Sequence, residues 1–264
     1  VTDEAPMIDI SVPHSARIWN YWLGGQDHYE VDRAAGERYR TAFPGITLLA
    51  RASRGFLTRA VHHLVAEAGI RQFVDIGTGL PTADNTHQIA QRVAPEARIV
   101  YVDNDALVLA HARALLISGP SGVTDYVHAD LHEPAVILEA MARTLDLTRP
   151  VGLILSGVLG HIASHEEARA IVARLLEALP SGSHLALSDG TNVFAKACVA
   201  AQQEYNESGA VPYHLRSPEE LAVFFDGLDL IEPGFVPCSR WRPGTREPEP
   251  GEELDIFGGV GRKS

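Results

Sequence analysis

The sequence predicts an α/β fold: a doubly wound (Rossmann-like), mostly parallel sheet preceded by a helical segment. Three observations carry that prediction. From Arg71 onward, short β-branched runs alternate with helix-period stretches; the first run breaks into the turn Gly77-Thr78-Gly79; the second ends on a carboxylate, Asp103. Such alternation implies parallel strands joined by right-handed crossovers, with helices on both faces.

The elements follow in order. Residues 1–13 read as a loosely ordered lead ending at Pro13. From Ser15 to about Gly69 the period is helical: Ile18, Trp19, Trp22 and Leu23 form one apolar stripe, and Phe56, Leu57, Ala60, Val61, Leu64 and Val65 another. Gly24-Gly25 and Pro44-Gly45 divide this region into about three helices. Residues 1–70 are therefore expected to cap a core of residues 71–264. Within that core the strand candidates are Gln72–Ile76, Arg98–Val102, Thr124–His128, Val151–Leu155 and His184–Ser188. Helical stretches near 84–93, 105–117, 133–145 and 165–179 separate them, the last opened by a capping box at Ser164-His-Glu-Glu167. Two more helices are expected near 191–207 and 218–226, the second with Ser217 as N-cap, Pro218 at its first position and Glu220 as box partner. Two closing strands, near Leu228–Val236 and Asp255–Val260, flank a long Pro/Gly/Glu-rich loop that is either mobile or functional.

Composition narrows the function classes. The chain has 264 residues, 45% hydrophobic and 21% charged, as an ordinary soluble enzyme does. A formal charge of -12 argues against a nucleic-acid partner, since phosphate binding relies on clustered Lys and Arg. Cys198 and Cys238 are too few for a disulfide framework, and no C-x-x-C or His/Cys pair has metal-site spacing. No apolar run approaches a membrane-spanning length of about 18 residues, and no signal-type segment opens the chain. The expectation is a reduced, cytoplasmic protein with no membrane partner and no metal.

The glycine turn separates two cofactor classes. In Gly77-Thr-Gly79-Leu-Pro81-Thr82, Thr82 stands where a dinucleotide fingerprint has its third glycine, and Pro81 delays the helix that would receive a pyrophosphate. Asp75 adds negative charge where a pyrophosphate would lie. An acidic, glycine-lined cup suits the ammonium and sulfonium of S-adenosylmethionine better. Asp103 is placed to accept both ribose hydroxyls. Asn104 or the backbone that follows it frames the adenine, and Asp130, followed by Leu131, is placed to accept from its exocyclic amine. Otherwise each acid is a solvated strand-end aspartate.

With these residues in view, the chain resembles the class I S-adenosylmethionine-dependent methyltransferases, and more specifically an actinobacterial S-adenosyl methyltransferase family. The resemblance rests on Ala16-Arg-Ile-Trp-Asn-Tyr21, Leu23-Gly-Gly25, Arg51-Ala-Ser-Arg54 leading into Phe56-Leu57, Asp75-Ile-Gly-Thr-Gly-Leu-Pro-Thr82 and Tyr101-Val-Asp-Asn-Asp105. It implies seven strands with an antiparallel last strand, and an N-terminus folded over the cofactor. In that light Arg54 is either a clamp for the cofactor carboxylate or a solvated helix-face residue. Tyr21, Gly24 and Gly25 border the cofactor, Ser156 joins the set from the fourth strand, and Trp19 and Trp22 belong to the core. The chain departs from the family pattern at His28, where an amide follows Asp27, and at Gly160-His161, where a His pair often stands.

Methyl transfer from a sulfonium is an in-line displacement that depends on holding donor and acceptor together. His161, in Ser156-Gly-Val-Leu-Gly-His161, is the first candidate for a general base or for positioning the acceptor. Asp189 and His87 are weaker ones, and His87 is equally a surface or buried structural residue. The fourth strand ends Leu155-Ser-Gly-Val158, without the Asn/Asp-Pro-Pro-aromatic turn of base and amide N-methyltransferases. The loop Ser239-Arg-Trp-Arg-Pro243 is expected to overhang the cofactor edge, where it either contacts an acidic or aromatic molecule or stays solvated. The reading is a methyltransferase acting on a small-molecule methyl acceptor at O or N. A non-catalytic S-adenosylmethionine-binding protein and a nicotinamide-dependent oxidoreductase are the alternatives.

Overall fold

The computed structural model describes residues 9–81, 84–115, 118–244 and 253–264. Three helices come first: α1 (Ser15–Trp22), α2 (Glu30–Ala42) and α3 (Ile46–Ala66). Strands and helices then alternate as β1 (Gln72–Ile76), α4 (Thr86–Val93), β2 (Arg98–Asp103), α5 (Ala106–Leu115), β3 (Val123–His128), α6 (Pro134–Met141), β4 (Gly152–Ser156), α7 (His165–Glu177) and β5 (His184–Gly190). Helices α8 (Lys196–Asn206) and α9 (Pro218–Ala222) follow, then β6 (Leu228–Leu230), β7 (Val236–Pro237) and β8 (Ile256–Lys263).

The sheet runs β3-β2-β1-β4-β5-β8-β6, with β7 also paired to β8. Strands β1 to β5 are parallel, whereas β8 is antiparallel to β5, β6 and β7. The antiparallel close matches expectation, but the sheet has eight strands because the one expected near Leu228–Val236 is interrupted. Gly234 N–H turns back to the Ile231 carbonyl at 2.9 Å, and Pro233 between them has no N–H to give the ladder.

Strand side chains alternate between faces. Val74, Ile76, Val100, Val102, Leu153, Leu155, Leu185 and Leu187 share one core with Ile137 of α6 and Val172 and Leu175 of α7. Phe73, Ile99, Tyr101, Ile154 and Ala186 face the other core, with the N-terminal helices, α4 and α8. By the same period Asp75, Asp103 and Ser156 point to the face that the N-terminal helices cover. Helix α3 buries Leu49, Ala50, Ser53, Phe56, Leu57, Ala60, Val61, Leu64 and Val65 there, the three-and-four spacing of an amphipathic helix. Helices α1 and α2 are locked together by the buried ion pair Arg17–Asp32 at 3.1 Å and by Trp22 Nε1, which donates to the Gly36 carbonyl at 3.1 Å.

Local expectations fare unevenly. At α9 the Ser217 hydroxyl accepts from Glu220 N–H and the Glu220 carboxylate accepts from Ser217 N–H, a complete box. At α7 only the Ser164 half of the expected box is present among the described hydrogen bonds. Of the lead, residues 1–8 lie outside the described residues, while Arg17 holds residues 9–13 through the Asp9 and Val12 carbonyls. Residues 245–252 of the closing loop also lie outside. The part of that loop around Trp241 overturns the expected overhang: its indole is fully buried against Phe56, with ring centroids 5.4 Å apart. Arg59 holds the Cys238 and Trp241 carbonyls, and Arg242 pairs with Glu67 and His63. A large apolar ring has more to gain from the core than from a solvated rim.

Candidate functional site

Chain order reverses at β1, which has β2 on one side and β4 on the other. Successive crossovers leave a crevice beyond the carboxyl ends of such strands. A cavity of about 320 Å³ opens there, closed over by α1, α3 and α8.

The turn after β1 is shaped by backbone needs. Gly77 and Gly79 both lie in the left-handed region, at φ 72° and 65°. A Cβ on Gly77 would fall 2.5 Å from Val158 Cγ2, while one on Gly79 would meet nothing within 4 Å. This leaves a bare backbone rim on the cavity, a cradle that a ligand can approach closely. Thr78 Oγ1 donates to the Asp75 carbonyl at 3.1 Å and lines the same rim. Thr82 lies outside the described residues.

Three carboxylates line the cavity at neighbouring strand ends: Asp75 one residue before the end of β1, Asp103 at the end of β2 and Asp130 two residues past β3. Burial pushes the Asp75 carboxyl up to about 6, against the Thr86 hydroxyl bonded to Oδ2 at 2.6 Å and the nearby Arg54 charge. Asp103 is also raised, by burial, although it accepts the Asp105 amide at 2.9 Å and the Gly79 amide at 3.0 Å. Burial works to raise Asp130 too, but bonds from His132 and Asn104 outweigh it and hold that carboxyl below its usual value. Asn104 Nδ2 donates to Asp130 Oδ2 at 2.9 Å, so this pair spans the ends of β2 and β3.

Arg54, Leu131, Ser156 and His161 line the same cavity. Arg54 Nη2 donates to Asn85 Oδ1 at 3.3 Å, and Ser156 Oγ is 2.9 Å from Ser188 Oγ. His161 is half-buried, with Nδ1 2.9 Å from the Pro212 carbonyl and its ring edge-on to Tyr213 at 5.1 Å. Burial holds its imidazole below the ordinary value, so it is the free base at neutral pH.

Tyr21, Gly24 and Gly25 lie outside the lining, and Asn20 stands in their place. Gly25 packs against that amide: an added Cβ would sit 2.3 Å from Asn20 Oδ1. His87 is buried and structural, its N–H and Nδ1 both on the Tyr101 hydroxyl. Asp189 is buried outside the lining and accepts from the Tyr213 hydroxyl. Trp19 and Trp22 reach the cavity as well as the core. Tyr39, Gln202, Tyr205 and Tyr213 line it without any sequence signal, because no motif or spacing connects α2, α8 and the 211–216 segment. Among the described residues, no group of three or more His, Cys, Asp or Glu side chains is placed to hold a metal ion. No helix there is long and apolar enough to cross a membrane.

A glycine-rimmed, acid-lined crevice at the switch point of this sheet defines a Rossmann-like nucleoside-binding protein. The profile of the S-adenosyl methyltransferase family matches residues 1–264, and the chain belongs to that family. It is thus an enzyme of the S-adenosylmethionine-dependent methyltransferase type, with that molecule as its cofactor. A DUF574 family protein from Streptomyces avermitilis MA-4680 is 46% identical, covers 98% of this chain and 100% of its own, and superposes with a TM-score of 0.94. A candidate methyltransferase from Thermobifida fusca YX is 36% identical, covers 100% of both chains and gives 0.88. The mitomycin 7-O-methyltransferase MmcR shares the fold alone, at 16% identity over 94% of this chain and 68% of its own, with a TM-score of 0.52. No curated protein sequence matches the chain.

Proposed function

We propose that this enzyme methylates a small molecule at oxygen or nitrogen, with donor and acceptor held side by side in the cavity over β1 to β5. The observation that carries this reading is the row of acceptor groups Asp75, Asp103 and Asp130 at neighbouring strand ends, with His161 beyond the next strand. Bound S-adenosylmethionine supplies an electrophilic methyl group on a sulfonium.

The chain's own groups do the rest. Asp103 accepts from the ribose hydroxyls, and Asp130 with Asn104 and Leu131 frames the adenine. Asp75 and the Gly77-Thr78-Gly79 rim receive the amino-acid end, and Arg54 pairs with its carboxylate through a guanidinium fork. Ser156 borders the sulfonium. Residues 1–70 act as a cap that excludes water from the crevice of the 71–264 core, and Gly25 contributes by seating Asn20. His161 is the general base or positions the acceptor.

Calorimetric titration with S-adenosylmethionine, S-adenosylhomocysteine and NADH tests the assignment. Micromolar binding of both adenosyl ligands is expected, with none for NADH. Asp103→Ala should weaken adenosyl binding about 10- to 100-fold, the worth of hydrogen bonds to a charged group. Unchanged affinity in that variant would refute the ribose assignment.

A further inference from the structure

We propose that the β4–β5 end of the cavity is an acceptor subsite for an uncharged, flat aromatic hydroxyl compound whose oxygen is deprotonated by His161. This deepens, and rests on, the methyl-transfer reading above.

Sheet order sets the geometry. Neighbouring strands lie about 4.8 Å apart, so the ends of β3, β2, β1 and β4 span roughly 14 Å. The proposed adenosyl contacts take up β3, β2 and β1 in that order. They meet β4 only at Ser156, so the space beyond that residue toward β5 is what remains for a second molecule, and His161 lines it.

One wall of the cavity is aromatic, and hydrogen bonds from Tyr39 through Gln202, Asn206 and Tyr213 tie it to Gly190 at the end of β5. Trp19 and Trp22 meet edge-on at 5.7 Å, Trp22 and Tyr39 are 5.0 Å apart, and Tyr39 and Tyr205 meet at 6.2 Å, with all four rings lining the cavity. Ring faces and edges at these spacings favour a flat π-system over an aliphatic chain.

The polar groups here are already committed. The Tyr39 hydroxyl donates to Gln202 Oε1 at 3.2 Å, and Gln202 Nε2 donates to Asn206 at 3.0 Å. Asp255 accepts three backbone amides, from Val193, Phe194 and Ala195, and the Thr191 hydroxyl. Among the described residues Arg54 is the one Lys or Arg in the cavity lining, and it stands by Asp75 at the β1 end. A carboxylate entering the aromatic end would lose its hydration with no cation to replace it.

His161 selects the reacting atom. A carbonyl oxygen only accepts, so the 2.9 Å contact with Pro212 puts the ring proton on Nδ1 and the lone pair on Nε2. Nε2 has no hydrogen-bond partner among the described residues. A neutral amine already presents its lone pair, but a phenolic hydroxyl becomes a strong nucleophile only as its proton leaves. In the step, the hydroxyl proton passes to Nε2 as the oxygen–methyl bond forms. The methyl–sulfur bond breaks with its electron pair going to sulfur, and the imidazolium returns the proton to solvent.

The test uses the whole protein saturated with S-adenosylhomocysteine, and 2-naphthol, 2-naphthoate and naphthylethylammonium as probes in ligand-observed NMR titrations. Saturable 2-naphthol binding is expected, at least 10-fold tighter than either charged probe and at least 10-fold weaker in Trp19→Ala. With S-adenosylmethionine the product should be the methyl ether. His161→Asn should keep 2-naphthol binding and lose 100-fold or more in transfer rate, the usual share of a general base. Cofactor binding without a preference for 2-naphthol would overturn the subsite and leave the transferase reading standing. Undiminished transfer in His161→Asn would overturn the base. Absence of S-adenosylhomocysteine binding would sink the methyl-transfer reading and this subsite together.

Discussion

Oδ2 of Asp103 accepts the Gly79 amide at 3.0 Å, so the last residue of β2 holds the turn that leaves β1. The two sequence motifs, 24 residues apart, form one hydrogen-bonded unit at the cavity rim.

That unit makes the two glycines unequal. Both have positive φ, which a side chain resists by roughly 1–2 kcal/mol. Gly77→Ala also drives a methyl into Val158, adding about 1–3 kcal/mol of overpacking. Urea denaturation should show Gly77→Ala losing more stability than Gly79→Ala, with partial recovery when Val158→Ala is combined with the former. Equal losses would contradict the packing argument.

Stability should depend on pH through Asp189. Burial pushes its carboxyl up to about 7, against the opposing Arg216 charge, whereas an unfolded aspartate titrates near 3.9. A raised folded value means the native state holds the extra proton. The contribution is therefore complete below about pH 4 and lost as pH climbs through 7. Asp75, at about 6, acts in the same direction. Between pH 4 and 8 the wild type should lose more unfolding free energy than Asp189→Asn. Parallel curves would show that the carboxyl keeps an ordinary value.

Trp241 separates packing from binding. Trp241→Ala should cost about 3–5 kcal/mol in denaturant unfolding, as for other buried aromatics, and leave adenosyl-ligand affinity unchanged. Weakened binding at undiminished stability would put the loop back at the site.

The packing of α1 on α2 depends on Arg17 and Asp32. Asp32 is fully buried and also accepts the His14 and Tyr29 amides at 2.8 and 2.9 Å. Asp32→Ala would strand a buried guanidinium and should cost about 3–5 kcal/mol by chemical denaturation. A loss under 1 kcal/mol would mean that the pair is worth no more than a solvent-exposed one.

How much of this was legible in the sequence differs by range. Strands β1 to β5 are readable because β-branched runs and the helices between them are local patterns, repeated with their own periods. The row Asp75, Asp103 and Asp130 is readable for the same reason: an acid at the end of each parallel strand must face one crevice. Local chemistry fails at Leu228–Val236, where the apolar run hides a turn around Pro233.

The cavity's second half had to await tertiary structure. Tyr39 and Gln202 meet across 163 residues and Arg59 reaches Cys238 across 179, and no periodicity encodes such distances. Tyr21 and Asn20 are neighbours in one motif, yet helix rotation alone puts Asn20 at the cavity and Tyr21 outside it. The sequence by itself determined the sheet, the turn and the strand-end acids, because short-range backbone preferences and side-chain alternation settle them. Tertiary packing decided which rings wall the far end and that Trp241 belongs to the core, because burial is a property of the assembled surfaces.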